Sequence, residues 1–139
     1  MSVERTFSII KPDAVAAGHA GEILAAIEKA GFKLLALRLT RLTAAQAQGF
    51  YAVHSAKPFF AGLVKFMTEG PIIVMALERE DAIKGLREVM GATNPANAAE
   101  GTIRKRFAAS IERNCIHGSD APETAAVELG FFFSASELL

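Results

Sequence analysis

Three histidines, His19, His54 and His117, are the side chains of this 139-residue sequence best suited to chemistry near neutral pH. Imidazole titrates at about pH 6.5, so a neutral, basic ring is available there. His19 lies in a turn bounded by Gly18 and Gly21 and reads as solvated. His54 follows Tyr51-Ala-Val at the end of a helical stretch and reads as a capping or packing residue. His117 differs, because it sits in Asn114-Cys-Ile-His117-Gly118-Ser119-Asp120, between a short strand and a capped helix. Gly118 would leave open space beside the ring, and a hydroxyl and a carboxylate follow at once. A neutral imidazole in such a place can act as a nucleophile, provided a carboxylate holds its second ring nitrogen and fixes the tautomer. Asp120 and Glu128 are both candidates for that carboxylate, and a purely structural role for His117 stays open.

Ready-made nucleotide motifs are missing. No Gly-x4-Gly-Lys-Ser/Thr occurs, and no Gly-x-Gly-x-x-Gly follows a strand, so any bound phosphate must be held by side chains. No His-x3-His or paired metal-ligand spacing occurs either, and a permanent metal held by protein side chains is not expected. The single cysteine, Cys115, excludes an internal disulfide framework and a cysteine-rich zinc site.

Composition narrows the class further. At 14.8 kDa, 51% hydrophobic and formally uncharged, the chain is expected to form one domain over residues 1–139 with a real core. The charge balance argues against a broad nucleic-acid footprint or a polybasic membrane surface. The balance is uneven, however. Residues 101–118 carry Arg104, Lys105, Arg106 and Arg113 against Glu112, a local +3, and residues 119–139 carry four acids and no Lys or Arg. The longest apolar run, Ile72 to Leu77, falls far below the ~20 residues that a spanning helix needs. With a start that lacks a basic-then-apolar segment, the expectation is a cytoplasmic protein without membrane attachment, in a reducing compartment.

The elements that would position these groups follow from periodicity and punctuation. Residues 6–11 predict a buried strand stopped by Pro12, and 21–30 an amphipathic helix closed by Gly31. Residues 33–42 alternate, with Leu35, Leu37 and Leu39 expected on one face. Thr43 is expected to cap a helix running to Tyr51, and Pro58 to start another that buries Phe59, Phe60, Leu63, Val64 and Met67. Residues 71–77 predict a central strand and 80–90 a helix with a Glu80–Lys84 pair. Residues 91–102 lack any period, and Arg104-Lys105-Arg106 reads as a solvated basic turn. Residues 114–117 predict a last short strand. Asp120-Ala-Pro-Glu123 is expected to cap a helix ending near Gly130. Without the helical pair at 43–67, the order is βαββαβ. The expected fold is therefore α+β and ferredoxin-like: a four-stranded antiparallel sheet covered by helices, with a helical-pair insertion and a long loop near residues 91–115.

Asn114-x-x-His117-Gly118-Ser119-Asp120 resembles the signature of the nucleoside diphosphate kinases, whose histidine is transiently phosphorylated. Lys11-Pro12-Asp13-Ala14-Val15 resembles their N-terminal motif, and Tyr51-x-x-His54-x-x-x-Pro58-Phe59-Phe60 their base-binding helical pair. Arg87-x-x-x-Gly91-Ala92-Thr93-x-Pro95 and Gly101-Thr102-Ile103-Arg104 resemble their phosphate-binding segment and loop. The likeness runs in order from residue 3 to about 133.

That resemblance implies a phosphotransferase working through a phosphohistidine on His117, with ping-pong kinetics. Glu128 would hold the other ring nitrogen, with Ser119 supporting the pair. It implies Lys11 and Tyr51 near the transferred group, and Arg87, Thr93 and Arg104 on the remaining phosphates. Asn114 would meet the ribose, and Phe59 would stack on the base between Leu63 and Ile111. Nucleoside di- and triphosphates are the implied substrates, without nucleic acid. Mg2+ would arrive on the nucleotide, base specificity would be broad, and a homo-oligomer is implied. The sequence departs from the pattern in the turn at His19-Ala20 and in its short tail. A non-catalytic RNA-binding module of similar topology would need paired exposed aromatics on the central strands, where the first strand offers only Phe7.

Overall fold

The computed structural model describes residues 3–138. Strands β1 (Val3–Ile10), β2 (Lys33–Thr40), β3 (Ile72–Glu80) and β4 (Ile116–Gly118) form one antiparallel sheet in the order β2-β3-β1-β4. Helices α1 (Pro12–Ala16), α2 (Ala20–Lys29), α3 (Ala44–Phe50), α4 (Phe60–Met67), α5 (Ala82–Met90), α6 (Ile103–Phe107) and α7 (Pro122–Phe132) cover it. This is the α+β, ferredoxin-like arrangement expected from the sequence, with α3 and α4 as the inserted pair.

The centre of the sheet is apolar on both faces because helices lie on both. Residues Thr6 to Ile10 of β1 are all buried. Phe7 and Ile9 join one cluster with Tyr51, Met67, Val74 and Leu129, while Ile10 joins the other with Ile23, Met75, Leu86 and Ile116. The alternation of strand side chains divides them this way. Phe7, at 0% exposure, cannot offer a stacking face to RNA.

Several local expectations need correction. Leu35, Leu37 and Leu39 do not share a face. Pairing with β3 is irregular between Leu34 and Ala36, and a bulge of that kind resets the alternation. Leu35 therefore packs with Phe7, whereas Leu37 and Leu39 pair with Met75 and Ile73 of the opposite cluster and are 44% and 63% exposed. Arg38 takes the Phe7 side, where it lies 5.1 Å over Phe133 and donates to the Phe132 carbonyl at 2.6 Å.

The Glu80–Lys84 pair does not form as a helical one, because Glu80 ends β3. Asp81 turns the chain with a φ of 54°, and Glu4 from β1 accepts from the Ile83 amide at 2.9 Å. Phe59 precedes α4 and is 53% exposed rather than part of a core stripe. The aperiodic stretch contains a short helical turn at Pro95–Asn97 and then α6, which Thr102 caps through the Lys105 amide. α7 runs two residues past Gly130. Gly118 does not open space beside His117: a Cβ there would lie 2.7 Å from the Met90 sulfur and 3.0 Å from Leu86. It lets β4 lie close to α5, on the face away from the imidazole.

Candidate active site

His117 is placed by β4, which pairs it with Ile9 at the sheet centre. The chain enters β4 through a tight turn in which Cys115 has a φ of 66° and the Ile116 amide donates to the Asn114 carbonyl at 2.9 Å. The Lys11 amide binds the Cys115 carbonyl at 2.9 Å, so the end of β1 and this turn are one unit. The Ser8 hydroxyl donates to the His117 carbonyl at 2.6 Å.

The imidazole Nε2 lies 2.8 Å from Glu128 Oε1, and the Ser119 hydroxyl donates to the same oxygen at 2.7 Å. An ionised carboxylate only accepts, so Nε2 carries the proton and Nδ1 keeps its lone pair. Asp120 is not available for this job. It accepts from the Thr124 hydroxyl at 2.7 Å, and that hydroxyl also accepts from the Ala121 amide at the start of α7. Of the two carboxylates open at the sequence level, the geometry therefore selects Glu128. The ring meets Phe50 edge-on at 5.7 Å and Phe7 at 6.1 Å, so its apolar surroundings fix its orientation. Phe50 was not singled out from the sequence, although it immediately precedes Tyr51 at the end of a capped helix.

Lys11 is buried and donates from Nζ to Asn114 Oδ1 at 2.8 Å. Burial, and then the Arg104 cation, pull its pKa down to about 8. Arg104 is also buried. It donates through Nη1 to the Gly91 carbonyl at 3.1 Å and through Nη2 to the Ile116 carbonyl at 2.8 Å, with Nε unpartnered. Of the basic run, Lys105 and Arg106 are exposed, whereas Arg104 is a strut joining the loop after α5 to β4. Burial holds its pKa below the usual guanidinium value. Tyr51 keeps a buried hydroxyl without a partner, and burial followed by the nearby Glu128 charge push its pKa far up, so it is a neutral phenol.

A cavity of about 470 Å³ opens beside Lys11. Lys11, Thr93, Phe59, Leu63 and Ile111 line it together, and Phe66 and Glu112 join them. Phe66, one of its lining residues, carries the Arg113 guanidinium 4.8 Å over its ring, and Arg113 forms an ion pair with Glu69. Arg87 does not line this cavity. It is exposed and borders the next hollow, which shares Thr93 with the first. A larger hollow of about 600 Å³, between α2, α5 and the start of α6, is remote from His117. Among the described residues no three His, Cys, Asp or Glu side chains converge to hold a metal, and no helix is long and apolar enough to cross a membrane. Lys11 lines the first cavity and Arg87 the adjoining hollow, two cations that suit anionic phosphate, with Glu112 and Glu88 as the carboxylates of the same two linings.

Fold and site together define an α+β domain that sets a carboxylate-oriented histidine on the strand beside β1, whose end carries Lys11 into a mainly apolar cleft of nucleotide size. The sequence profile of the family described as nucleoside diphosphate kinase matches residues 4–138. The chain is 60% identical over 137 residues to the nucleoside diphosphate kinase of Nitratidesulfovibrio vulgaris (strain DP4), covering 99% of each. It is 61% identical over 139 residues to that of Azorhizobium caulinodans, covering 100% of this chain and 99% of the relative. Among solved structures, the Aquifex aeolicus nucleoside diphosphate kinase superposes with a TM-score of 0.97 at 44% identity, over 99% of this chain and 100% of that one. A Halobacterium salinarum nucleoside diphosphate kinase in complex with CDP superposes with a TM-score of 0.94 at 40% identity, over 99% and 92%. The chain belongs to the nucleoside diphosphate kinase family and is a phosphotransferase of nucleoside di- and triphosphates.

Proposed function

We propose that His117 carries the phosphoryl group between the two substrates. The observation that carries this reading is the 2.8 Å contact of Nε2 with Glu128, which leaves Nδ1 as the free nucleophile on a ring that is 20% exposed. Nδ1 attacks the γ-phosphorus, the bond to the bridging oxygen breaks, and its electron pair leaves with the nucleoside diphosphate. A β-phosphate oxygen of a second nucleoside diphosphate then attacks the phosphohistidine and returns the imidazole. Glu128, steadied by Ser119, balances the positive charge that grows on the ring.

The transition state of such a transfer is loose, so catalysis is mainly alignment and charge neutralisation. Lys11 and the Tyr51 hydroxyl face the transferred group, and Arg87, Thr93 and Arg104 the remaining phosphates. Asn114, which already orients Lys11, meets the ribose. Phe59 stacks on the base against Leu63 and Ile111, and because every base has a π-face this contact alone admits all of them. Mg2+, when bound through the nucleotide phosphates, supplies further charge neutralisation there.

Incubation with γ-labelled ATP is expected to leave acid-labile, base-stable label on His117, and GDP is expected to discharge it. A chain that turns over without ever carrying label overturns the reading. We further infer a homo-oligomer whose contacts include the open edge of β2, where Leu37 and Leu39 are exposed. Light scattering reads this directly, and a monomer mass at micromolar concentration refutes it.

A further inference from the structure

We propose that Glu112 is a specificity-determining residue that grades the bases this enzyme accepts and favours guanine. The inference rests on the cleft of about 470 Å³ being the nucleotide site. Four of the side chains lining that cleft, Phe59, Leu63, Phe66 and Ile111, are apolar, and Lys11 and Thr93 belong to its phosphate end. Among the described residues, Glu112 is its only carboxylate.

The turn that carries Glu112 is fastened on both sides. The Ala109 and Ser110 amides donate to the Arg113 carbonyl at 3.0 and 3.3 Å, and the Arg113 amide donates to the Ser110 hydroxyl at 3.1 Å. The Arg113 side chain is anchored by the Phe66 ring of α4 and by Glu69, two residues past the end of that helix. Ile111 and Glu112 therefore sit at the tip of a closed turn held against the wall that Phe59 and Leu63 form. Among the described residues, Glu112 itself makes no hydrogen bond or ion pair with the protein, so both its oxygens are open to a ligand.

A carboxylate accepts and cannot donate. On their hydrogen-bonding edges, cytosine and adenine set one amino group beside a ring acceptor, which a carboxylate repels. Thymine and uracil set one N–H between two carbonyls. Guanine sets N1–H beside the 2-amino group, two adjacent donors that match two carboxylate oxygens. Stacking on Phe59 is indifferent to these edges, so Glu112 breaks the tie between bases. A site that bonds a substrate N–H disfavours the analogue lacking it, and at a solvent-exposed rim we expect discrimination of about tenfold, below the values of closed pockets.

GDP and IDP isolate the effect, because they differ only in the 2-amino group. With ATP as donor, wild-type kcat/KM is expected to favour GDP over IDP by about tenfold. Both E112A and E112Q should bring that ratio to within about twofold of unity, the change falling on KM because the contact is the same before and during transfer. A wild-type enzyme that takes both acceptors equally, or a GDP preference that survives in E112A, overturns the proposal. In those two cases labelled His117 in the wild type would still uphold the cleft and its histidine. Failure of the wild type to take label or use either acceptor would instead remove the reading on which the proposal stands.

Discussion

Replacing His117 with alanine is expected to lower phosphoryl transfer by on the order of 10⁴-fold or more, because it deletes the only group proposed to hold the phosphoryl group between substrates. The loss should not come from unfolding. His117 is held in the sheet by its backbone, paired with Ile9, and its carbonyl still accepts from Ser8. Glu128, once the imidazole is gone, keeps its bond from Ser119, so no buried carboxylate is left without a donor. A coupled assay of ADP release should therefore read background while circular dichroism and the urea midpoint stay close to wild type. Because both half-reactions pass through one nitrogen, exchange between ATP and ADP should vanish with net transfer. Residual transfer of more than a few per cent in a folded H117A would mean direct transfer between bound nucleotides, and His117 would lose its role.

Why the sequence led to this histidine, yet not to every group around it, is a matter of distance along the chain. β1 and β3 announce themselves as apolar runs because both faces of the sheet are covered, and Thr43 with Gln46 forms the capping box that starts α3. The hydroxyl and two carboxylates near His117 were visible, but choosing between Asp120 and Glu128 needed the family resemblance or the structure. Asp120 is three residues from the imidazole, yet the start of α7 turns it toward Thr124, and the helix brings Glu128 back from eleven residues away. No local rule anticipates the bulge at Leu34/Ala36 that sends Leu37 and Leu39 to the other face, because an inserted residue is invisible to a period of two. The burial of Arg104 was hidden from its local sequence for a related reason. A run of three basic residues on a short helix has no apolar stripe, and only the carbonyls of Gly91 and Ile116, supplied from elsewhere in the chain, make its burial tolerable. Phe50, Glu112 and the Arg113–Glu69 pair likewise gain meaning only when distant turns meet.

Lys11 carries the other large effect. Its Nζ spends one donor on Asn114, leaving two for phosphate oxygens, and it does so from a buried position where a charge acts with little screening. Removing it in K11A is expected to lower kcat/KM by about 10²- to 10³-fold, in line with loss of one preorganised cationic contact to a developing charge. The same burial makes the wild type sensitive to pH. With burial and Arg104 bringing the pKa to about 8, against the opposing charge of Asp13, Lys11 is cationic below that value and neutral above it. Phosphate binding is thus present on the acid side and fades as pH rises, so kcat/KM should fall above about pH 8, tenfold per pH unit once Lys11 is mainly neutral. Bound polyphosphate favours the cation, so the corresponding fall in kcat should lie at higher pH than that in kcat/KM. Neighbouring groups do not mimic this limb: burial pushes the Cys115 thiol up to about 12, and Tyr51 is shifted up as well. In K11R the guanidinium stays charged throughout the range, so the surviving activity should show no fall near pH 8. A wild-type kcat/KM that is flat to pH 9.5, or a limb that persists in K11R, would show that Lys11 does not bind phosphate as a titrating cation.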